Sequence, residues 1–214
     1  REMRLRSLQR LEADVEQAAG VPKEQRSIIR IAKESSDACL IIHGSTGSPA
    51  DVRGLAEHLH QDGLTVYAML LPGHGTADGE RPTVKWQACL QEVLLRYRLL
   101  LRRHQRVHVI GFSFGAALAV LLARRESVAS LCLLSPALVP RLPLPMRILL
   151  AVRLHHLPWL RRRFGWDLEV LDAMEGARGS VGKLRVPVYA AHCSDDERIS
   201  PHSLRILQKK VRHR

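Results

Sequence analysis

A serine stands midway between two glycines in the pentapeptide at residues 111–115, with Ser113 at its centre. The β-branched run just before it predicts a strand, and the small residues after it predict a helix. A strand that turns this sharply into a helix strains the serine backbone, and Gly111 and Gly115 leave the space that the close approach needs. The spacing therefore predicts a serine nucleophile at the tip of the turn. A glycine-rich helix cap with an incidental serine is the alternative.

Acyl transfer by serine also needs N–H groups that stabilise the oxyanion, a base, and a carboxylate that orients the base. The residue after the nucleophile donates one N–H group, and this residue is Phe114. The second donor belongs to a loop after an earlier strand, and the turn at residues 43–47 follows the apolar run at 38–42. Its best candidate is Ser45, unless this turn is an ordinary connection between a strand and a helix.

Carboxylates follow the last predicted strand, at Asp195, Asp196 and Glu197. Catalytic groups are concentrated in loops, so this position favours one of the two aspartates as the acid. The spacing alone does not choose between them.

The elements that must position these residues alternate between strands and helices. Strands are predicted at 27–33, 38–42, 64–70, 107–110, 128–134 and 186–191, and helices at 3–18, 48–61, 84–103, 116–125 and 203–210. Each crossover is long enough to return parallel, which predicts an α/β fold with a predominantly parallel sheet flanked by helices. Ligands of such sheets bind at the carboxyl ends of the strands, where the candidate residues lie.

The chain is predicted to have four parts. They are an N-terminal helix and first strand (1–37), a core with the serine turn (38–136), a cap or lid insertion (137–183), and the remaining core with the acid loop and its helix (184–214). Prolines interrupt the alternation in the third part. Between Arg141 and Gly165 this part has six arginines and no acidic residue.

The composition indicates a globular protein with an excess of positive charge. The formal net charge is +12, and aromatic residues make up 4% of the chain, so stacking platforms for single-stranded nucleic acid are not evident. We expect no nucleic-acid partner, no metal and no cofactor. The four cysteines have no C-x-x-C spacing and predict buried free thiols in a reducing compartment. Because no run reaches the ~18 apolar residues that span a bilayer, we expect a cytoplasmic protein.

Taken together, these motifs resemble the α/β-hydrolase superfamily. They are a strand ending in His43-Gly44-x-x-Gly47, a Pro-Gly-His-Gly loop at 72–75, the serine turn, a cap insertion, and an aspartate after the next strand. The chain is most similar to carboxylesterase and monoacylglycerol-lipase-like serine hydrolases, over roughly residues 38–210.

The resemblance implies a role for each motif residue. Ser113 would be the nucleophile, Ser45 and Phe114 the oxyanion donors, and Asp196 the acid. The side chains of His43 and His74, with Gly44, would shape the neighbouring loops. Cys193 stands where the family has a glycine, which leaves Asp195 as a lesser possibility.

The catalytic histidine of this superfamily follows the acid in the chain. Only His202 and His213 do so here. His202 opens a predicted surface helix, and His213 lies on the approach to a further strand, too early for the triad loop. We therefore expect the catalytic histidine beyond residue 214, so that the 214-residue chain is a fragment with an incomplete and inactive site.

The expected function is hydrolysis of carboxylic esters, such as short acyl esters or monoacylglycerol-like lipids, through an acyl-enzyme on Ser113. The apolar segment at 146–154 is expected to cover an acyl chain, with the cap arginines near anionic lipid or solvated. A thioesterase, acyltransferase or peptidase on the same fold, and a non-catalytic binding protein without the histidine, are the alternatives. A nucleic-acid-binding module is a third alternative, which only the charge favours. The oligomeric state is open.

Overall fold

The computed structural model describes residues 2–33, 35–75, 84–142 and 158–211. The helices are α1 (Glu2–Ala18), α2 (Arg53–Gln61), α3 (Trp86–Leu101), α4 (Phe114–Ala123), α5 (Pro158–Ser180) and α6 (His202–Lys210). The strands are β1 (Ile28–Arg30), β2 (Asp37–Ile42), β3 (Thr65–Met69), β4 (Arg106–Phe112), β5 (Ser130–Leu134) and β6 (Val188–Ala191). Short 3₁₀ turns lie at Lys23–Gln25, Pro49–Val52 and Val181–Lys183.

The strands form one sheet in the order β1-β3-β2-β4-β5-β6. Strands β2 to β6 are parallel, and only β1 is antiparallel, with Ile28 opposite Ala68 of β3. The predicted α/β fold with a predominantly parallel sheet is confirmed. We call the edge at which β2 to β6 end the carboxyl edge, and the edge at which they begin the amino edge.

The side chains of β2 alternate between the two faces of the sheet. Leu40 and Ile42 join the larger core cluster, with α3, α4, α5 and α6, whereas Cys39 and Ile41 join the smaller cluster, with α2. All of these side chains are at most 1% exposed. Such a strand is a continuous apolar run because helices cover both faces of a parallel sheet.

Helix α4 lies at the centre of the larger core. Every residue from Phe114 to Leu122 is buried, so this helix has no polar face. A helix that is apolar on all sides is stable in water only when other elements surround it. Here β4, α3 and α5 pack around α4 and hold it directly behind the serine turn.

Helix α5 belongs to the stretch that the sequence predicts as a cap. Its residues Ala173 and Ala177, with Val181 just after it, are fully buried in the larger core cluster. The C-terminal part of the stretch therefore contributes to the body of the fold. The apolar segment at 146–154 lies outside the described residues, and the division into core and cap stays a prediction.

Several local predictions need correction. The helix predicted at 48–61 begins as the 3₁₀ turn Pro49–Val52, and the strand predicted at 27–33 has only the residues of β1. Two of the four cysteines are not buried, contrary to the prediction. Cys132 is half-buried, and Cys193 is exposed because it lies in a loop beyond the end of β6. None of the helices in the described ranges is long and apolar enough to cross a bilayer.

Candidate active site

Ser113 occupies the sharp turn between β4 and α4. Its backbone has φ 54° and ψ −112°, a conformation that residues with a side chain rarely adopt. The Ser113 N–H donates to the carbonyl of Leu134 at 2.9 Å, and its carbonyl accepts from the Ala116 N–H at 3.0 Å. These hydrogen bonds tie the strained residue to β5 and to the first turn of α4.

The glycines on either side of Ser113 lie where a side chain would collide with backbone. A Cβ atom on Gly111 would stand 2.5 Å from the Gly115 carbonyl oxygen and the Ala116 Cα. A Cβ on Gly115 would stand 2.1 Å from the Ile42 carbonyl oxygen. Both positions require glycine for the reason that the sequence predicts, namely the close approach of helix and strand.

The turn at residues 43–47 reaches Ser113 from the neighbouring strand β2. A Cβ on Gly44 would lie 3.6 Å from the Ser113 Cβ and 3.4 Å from the Phe112 ring. These are ordinary van der Waals distances, so the loop backbone lies close to the serine without this position requiring glycine. Ser45, the next residue, lines the same cavity as Ser113.

A pair of buried histidines holds this turn from behind. His43 accepts a hydrogen bond at Nε2 from the Leu71 N–H at 3.0 Å, so Nδ1 carries the proton and donates to the Gly44 carbonyl at 2.8 Å. Burial, and secondarily the nearby His74, lowers the pKa of His43 to about 3, so this ring is neutral near neutral pH.

His74 packs edge-on against His43, with ring centroids 5.1 Å apart. Its Nδ1 lies 3.0 Å from the Pro72 carbonyl oxygen, and its Nε2 lies 3.0 Å from the Ser45 carbonyl oxygen. Burial lowers the pKa of His74 as well. The contact with the Ser45 carbonyl fixes the orientation of the peptide unit between Ser45 and Thr46.

The acid loop follows β6. Oδ1 of Asp196 accepts from the N–H groups of Arg198 at 2.9 Å and Ile199 at 2.8 Å, and this residue lines the cavity of Ser113. Asp195 is exposed and lies outside the described lining of that cavity. Of the two aspartates that the sequence leaves open, the fold brings only Asp196 to the cavity.

His192, at the start of this loop, received no role from the sequence. Its side chain is fully buried, with Nε2 at 3.1 Å from the Ile199 carbonyl oxygen and 3.6 Å from Oδ2 of Asp196. Its Nδ1 is buried and has no hydrogen-bond partner among the described residues. The ring thus packs behind the acid loop, and the described lining of the cavity contains no histidine. His202 is exposed at the first residue of α6, as predicted, and His213 lies outside the described residues.

One cavity of about 830 Å³ at the carboxyl edge unites these groups. Most of its walls are apolar. The described residues that line it are Gly44, Ser45, Thr46, Gly47, Asp51, Phe112, Ser113, Ser135, Ala137, Pro140, Leu142, Asp167, Leu168, Val170, Leu171, Met174, Asp196, Arg198 and Ile199. A cavity of this size with a few polar groups is typical of a small-molecule site.

Ser135 is a second strained serine in the same cavity. Its φ is 43°, and its N–H donates to the Ala191 carbonyl at 2.8 Å. The sequence places this residue at a strand end but gives no sign of the strain, because no glycine pair flanks it. Within the described ranges, no group of three His, Cys, Asp or Glu side chains is arranged to hold a metal ion.

Comparisons with known proteins agree with this architecture. A profile of the alpha/beta hydrolase family matches residues 39–205, most of the chain. The chain belongs to the alpha/beta hydrolase family.

A curated relative is the thermostable monoacylglycerol lipase of Bacillus sp. (strain H-257), which is 40% identical over 90 residues. The match covers 41% of this chain and 35% of the lipase, so it spans about a third of that relative's length.

Solved structures share the fold at low sequence identity. One, from work on the metagenome-derived lipolytic enzymes LipS and LipT, is 19% identical with a TM-score of 0.74, covering 89% of this chain and 84% of its own. The monoacylglycerol lipase of Paleococcus ferrophilus is 19% identical with a TM-score of 0.69, covering 87% and 84%.

Proposed function

We propose that the protein is a serine hydrolase that cleaves carboxylic esters through an acyl-enzyme on Ser113. The observation that carries this proposal is the position of Ser113, strained at a strand-to-helix turn and facing a largely apolar cavity. The family membership and the lipase relative support it.

The first step is attack of the Ser113 Oγ on the ester carbonyl carbon. A base takes the Oγ proton as the C–O bond forms, and the carbonyl oxygen becomes an oxyanion. We assign the N–H groups of Ser45 and Phe114 as its donors. The approach of Gly44 to Ser113 and the hydrogen bond from His43 Nδ1 to the Gly44 carbonyl support this assignment. That carbonyl shares its peptide unit with the Ser45 N–H, and donors act best when they are fixed before the reaction.

Collapse of the oxyanion expels the alcohol, which takes the proton from the base, and water then releases the acid from the acyl-enzyme. Asp196 is the proposed acid that orients the base. Its Oδ1 is held by two backbone N–H groups, which supports a fixed carboxylate at the cavity. The base itself stays a prediction from the sequence, a histidine beyond residue 214.

The substrate class follows from the cavity wall. Leu142, Leu168, Leu171, Met174 and Ile199 supply apolar surface near Ser113. Asp51, Asp167, Asp196 and Arg198 line other parts of the cavity, so an ester fits with its acyl chain against the apolar wall and its polar end toward these side chains. Monoacylglycerol-like lipids and short acyl esters both meet this requirement.

The test compares two serines of the same cavity. In the full-length protein, which is expected to carry the catalytic histidine, Ser113→Ala should lower the turnover of a p-nitrophenyl ester by about 10⁴-fold or more. Ser135→Ala, which removes a hydroxyl from the other strained residue, is expected to keep most of the activity. Labelling with a fluorophosphonate probe should occur at Ser113 in the wild type and disappear in Ser113→Ala alone. Full activity of Ser113→Ala would refute the proposal.

A panel of p-nitrophenyl esters, acyl thioesters and aminoacyl amides separates the rival reactions on this fold. Ester hydrolysis predicts the highest kcat/KM for the esters. A non-catalytic binding protein is favoured by the lack of a histidine in the described lining of the cavity, and it predicts binding of acyl esters with no turnover of any member of the panel.

A further inference from the structure

The amino edge of the sheet carries much of the positive charge that the proposed function does not use. We define the amino-edge face by the exposed basic residues at strand starts, helix ends and adjoining turns. They are Arg102, Arg106, Arg124, Arg125, Arg178, Lys183, Arg185, Lys209 and Lys210.

The topology gathers these residues from distant parts of the sequence. Helices α2 to α5 each connect one parallel strand to the next in the chain, so each begins near the carboxyl edge and ends near the amino edge. The ends of α3 and α4 are joined by an ion pair between Arg98 and Glu126 at 2.6 Å. The end of α6 reaches the same region, since a Cβ on Gly182 would lie 3.9 Å from the Lys210 Cβ.

The carboxylates closest to the starts of β2 and β5 are already engaged. Asp37 is bound by Arg106 through two hydrogen bonds of 2.7 and 2.6 Å, and Glu126 is bound by Arg98. Among the described residues, no carboxylate pairs with Arg102, Arg124 or Arg125. The face therefore presents uncompensated guanidinium groups to the outside.

Helix dipoles explain some of these charges. A cation in the last turn of a helix interacts favourably with its C-terminal carbonyl groups, and Arg98, Arg178 and Lys209 already occupy the last turns of α3, α5 and α6. Arg102, beyond the last turn of α3, and Arg125, after the C-cap of α4, add charge beyond this need.

We propose that the amino-edge face docks on an anionic lipid bilayer. Guanidinium groups bind lipid phosphates and carboxylates, and a cluster of basic residues is attracted to an anionic leaflet. Leu101, 41% exposed beside Arg102, supplies an apolar side chain that the bilayer interface accepts and that a phosphate backbone does not. The scarcity of aromatic residues, 4% of the chain, further disfavours single-stranded nucleic acid.

Docking by this face has a consequence for the cavity. The cavity opens at the carboxyl edge, on the opposite side of the sheet from the basic residues. A bilayer bound at the amino edge therefore leaves Ser113 facing water. The substrate then enters from the aqueous side, and the arginines of the cap sequence are not required for docking.

Vesicle binding of the purified protein tests the charge. The wild type is expected to bind vesicles of phosphatidylcholine with phosphatidylserine, and not vesicles of phosphatidylcholine alone. Each cation near an anionic surface strengthens binding about fivefold, so the triple variant R102Q/R124Q/R125Q is expected to bind about a hundredfold more weakly. The matched control R10Q/K23Q/K85Q removes the same charge from exposed positions outside the face and is expected to keep vesicle binding.

The midpoint of thermal unfolding shows whether each variant folds. If R102Q/R124Q/R125Q folds poorly, R102K/R124K/R125K takes its place in the test, because it keeps the charge and is expected to bind vesicles as the wild type does. The proposal is overturned if the wild type ignores anionic vesicles or if both glutamine triples lose binding equally. It is also overturned if the protein binds duplex DNA or RNA through this face but not vesicles. None of these readouts depends on hydrolysis, so failure of the proposed reaction would not affect them.

The orientation has its own test. A fluorophore on the exposed Cys193 marks the carboxyl edge, and one on S127C in a C193S background marks the amino edge. Spin-labelled lipid is expected to quench the label at position 127 and not the one at position 193. The reverse pattern, or equal quenching, would overturn the proposal.

Discussion

At the carboxyl edge of the sheet, Gly44, Ser113 and Asp196 line one cavity, and the turn at Ser113 has a strained backbone between two glycines. At the amino edge, the same strands begin among exposed arginines. The carboxyl edge depends on distances. Its groups are held by backbone hydrogen bonds and by contacts that a single methyl group would break.

The amino edge depends on charge density instead. Its guanidinium groups act through a field that changes little when one side chain moves by an ångström. The difference shows that two ends of one sheet, built by the same crossovers, place different demands on sequence. One end needs particular residues at particular positions, and the other needs an excess of one charge.

The largest expected effect concerns the carboxyl edge. Asp196→Asn is expected to lower kcat by about 10³- to 10⁴-fold, because a base without its carboxylate loses its orientation and its stabilisation as a cation. Asp195→Asn should keep kcat within about twofold of the wild-type value, since this exposed carboxylate lies outside the cavity and is surrounded by water. The measurement is kcat with a soluble ester, and equal losses in the two variants would remove Asp196 from the proposed mechanism.

The same substitution at the two edges should give opposite results. Gly115→Ala places a Cβ 2.1 Å from the Ile42 carbonyl oxygen, so we expect a loss of about 3 kcal/mol or more in the free energy of unfolding. Gly179→Ala, near the end of α5, meets no atom within 4 Å and should be neutral or stabilising by up to about 1 kcal/mol. Urea unfolding measures both. A tolerated Gly115→Ala would show that the carboxyl edge is less constrained than its geometry indicates.

The pH dependence of stability should report on His43. Folding lowers the pKa of His43 from 6.5 to about 3, so as the pH falls the unfolded state takes up a proton before the folded state does. The contribution of His43 to the free energy of unfolding is therefore complete above pH 6.5 and is lost as the pH falls toward 3. Between pH 6.5 and about 5 we expect His43 to account for a fall of about 2 kcal/mol in the free energy of unfolding.

Comparison with His43→Gln isolates this contribution, because the other titrating groups remain. The variant should be less stable at neutral pH and should show a shallower fall over that range in urea unfolding. Parallel curves for the two proteins would mean that His43 does not carry the effect.

The smallest effect is expected at the amino edge. Arg98→Gln breaks the ion pair with Glu126. Because the Arg98 side chain is 60% exposed, this should lower the free energy of unfolding by no more than about 1 kcal/mol. Thermal unfolding at low and high salt measures this loss. The difference between the variant and the wild type should be smaller at high salt, because salt already screens the ion pair in the wild type. A loss as large as that of Gly115→Ala would erase the difference between the edges.

Local patterns were enough to predict most of the secondary structure and the serine turn. Short apolar runs marked the strands and helical repeats marked the helices, and the glycine spacing around Ser113 indicated a close approach that the structure contains. These features depend on residues a few positions apart, so the sequence displays them directly. The catalytic roles attached to them remain proposals.

Contacts between distant residues were a different matter. Spacing alone does not separate Asp195 from Asp196. The family resemblance implied Asp196, and the path of the loop after β6 brings that residue to the cavity. The antiparallel direction of β1 depends on its pairing with β3, and the exposure of Cys193 on where β6 ends.

The sequence by itself determined the α/β class, the strained serine and the overall positive charge, because neighbouring residues or simple counts set each of these. Only the tertiary structure decided that His43 and His74 pack edge-on behind the turn that holds Ser45, and that arginines far apart in the chain share one face. These contacts form because parallel crossovers bring successive strands and helices back to the same edge of the sheet. No short stretch of sequence contains that information.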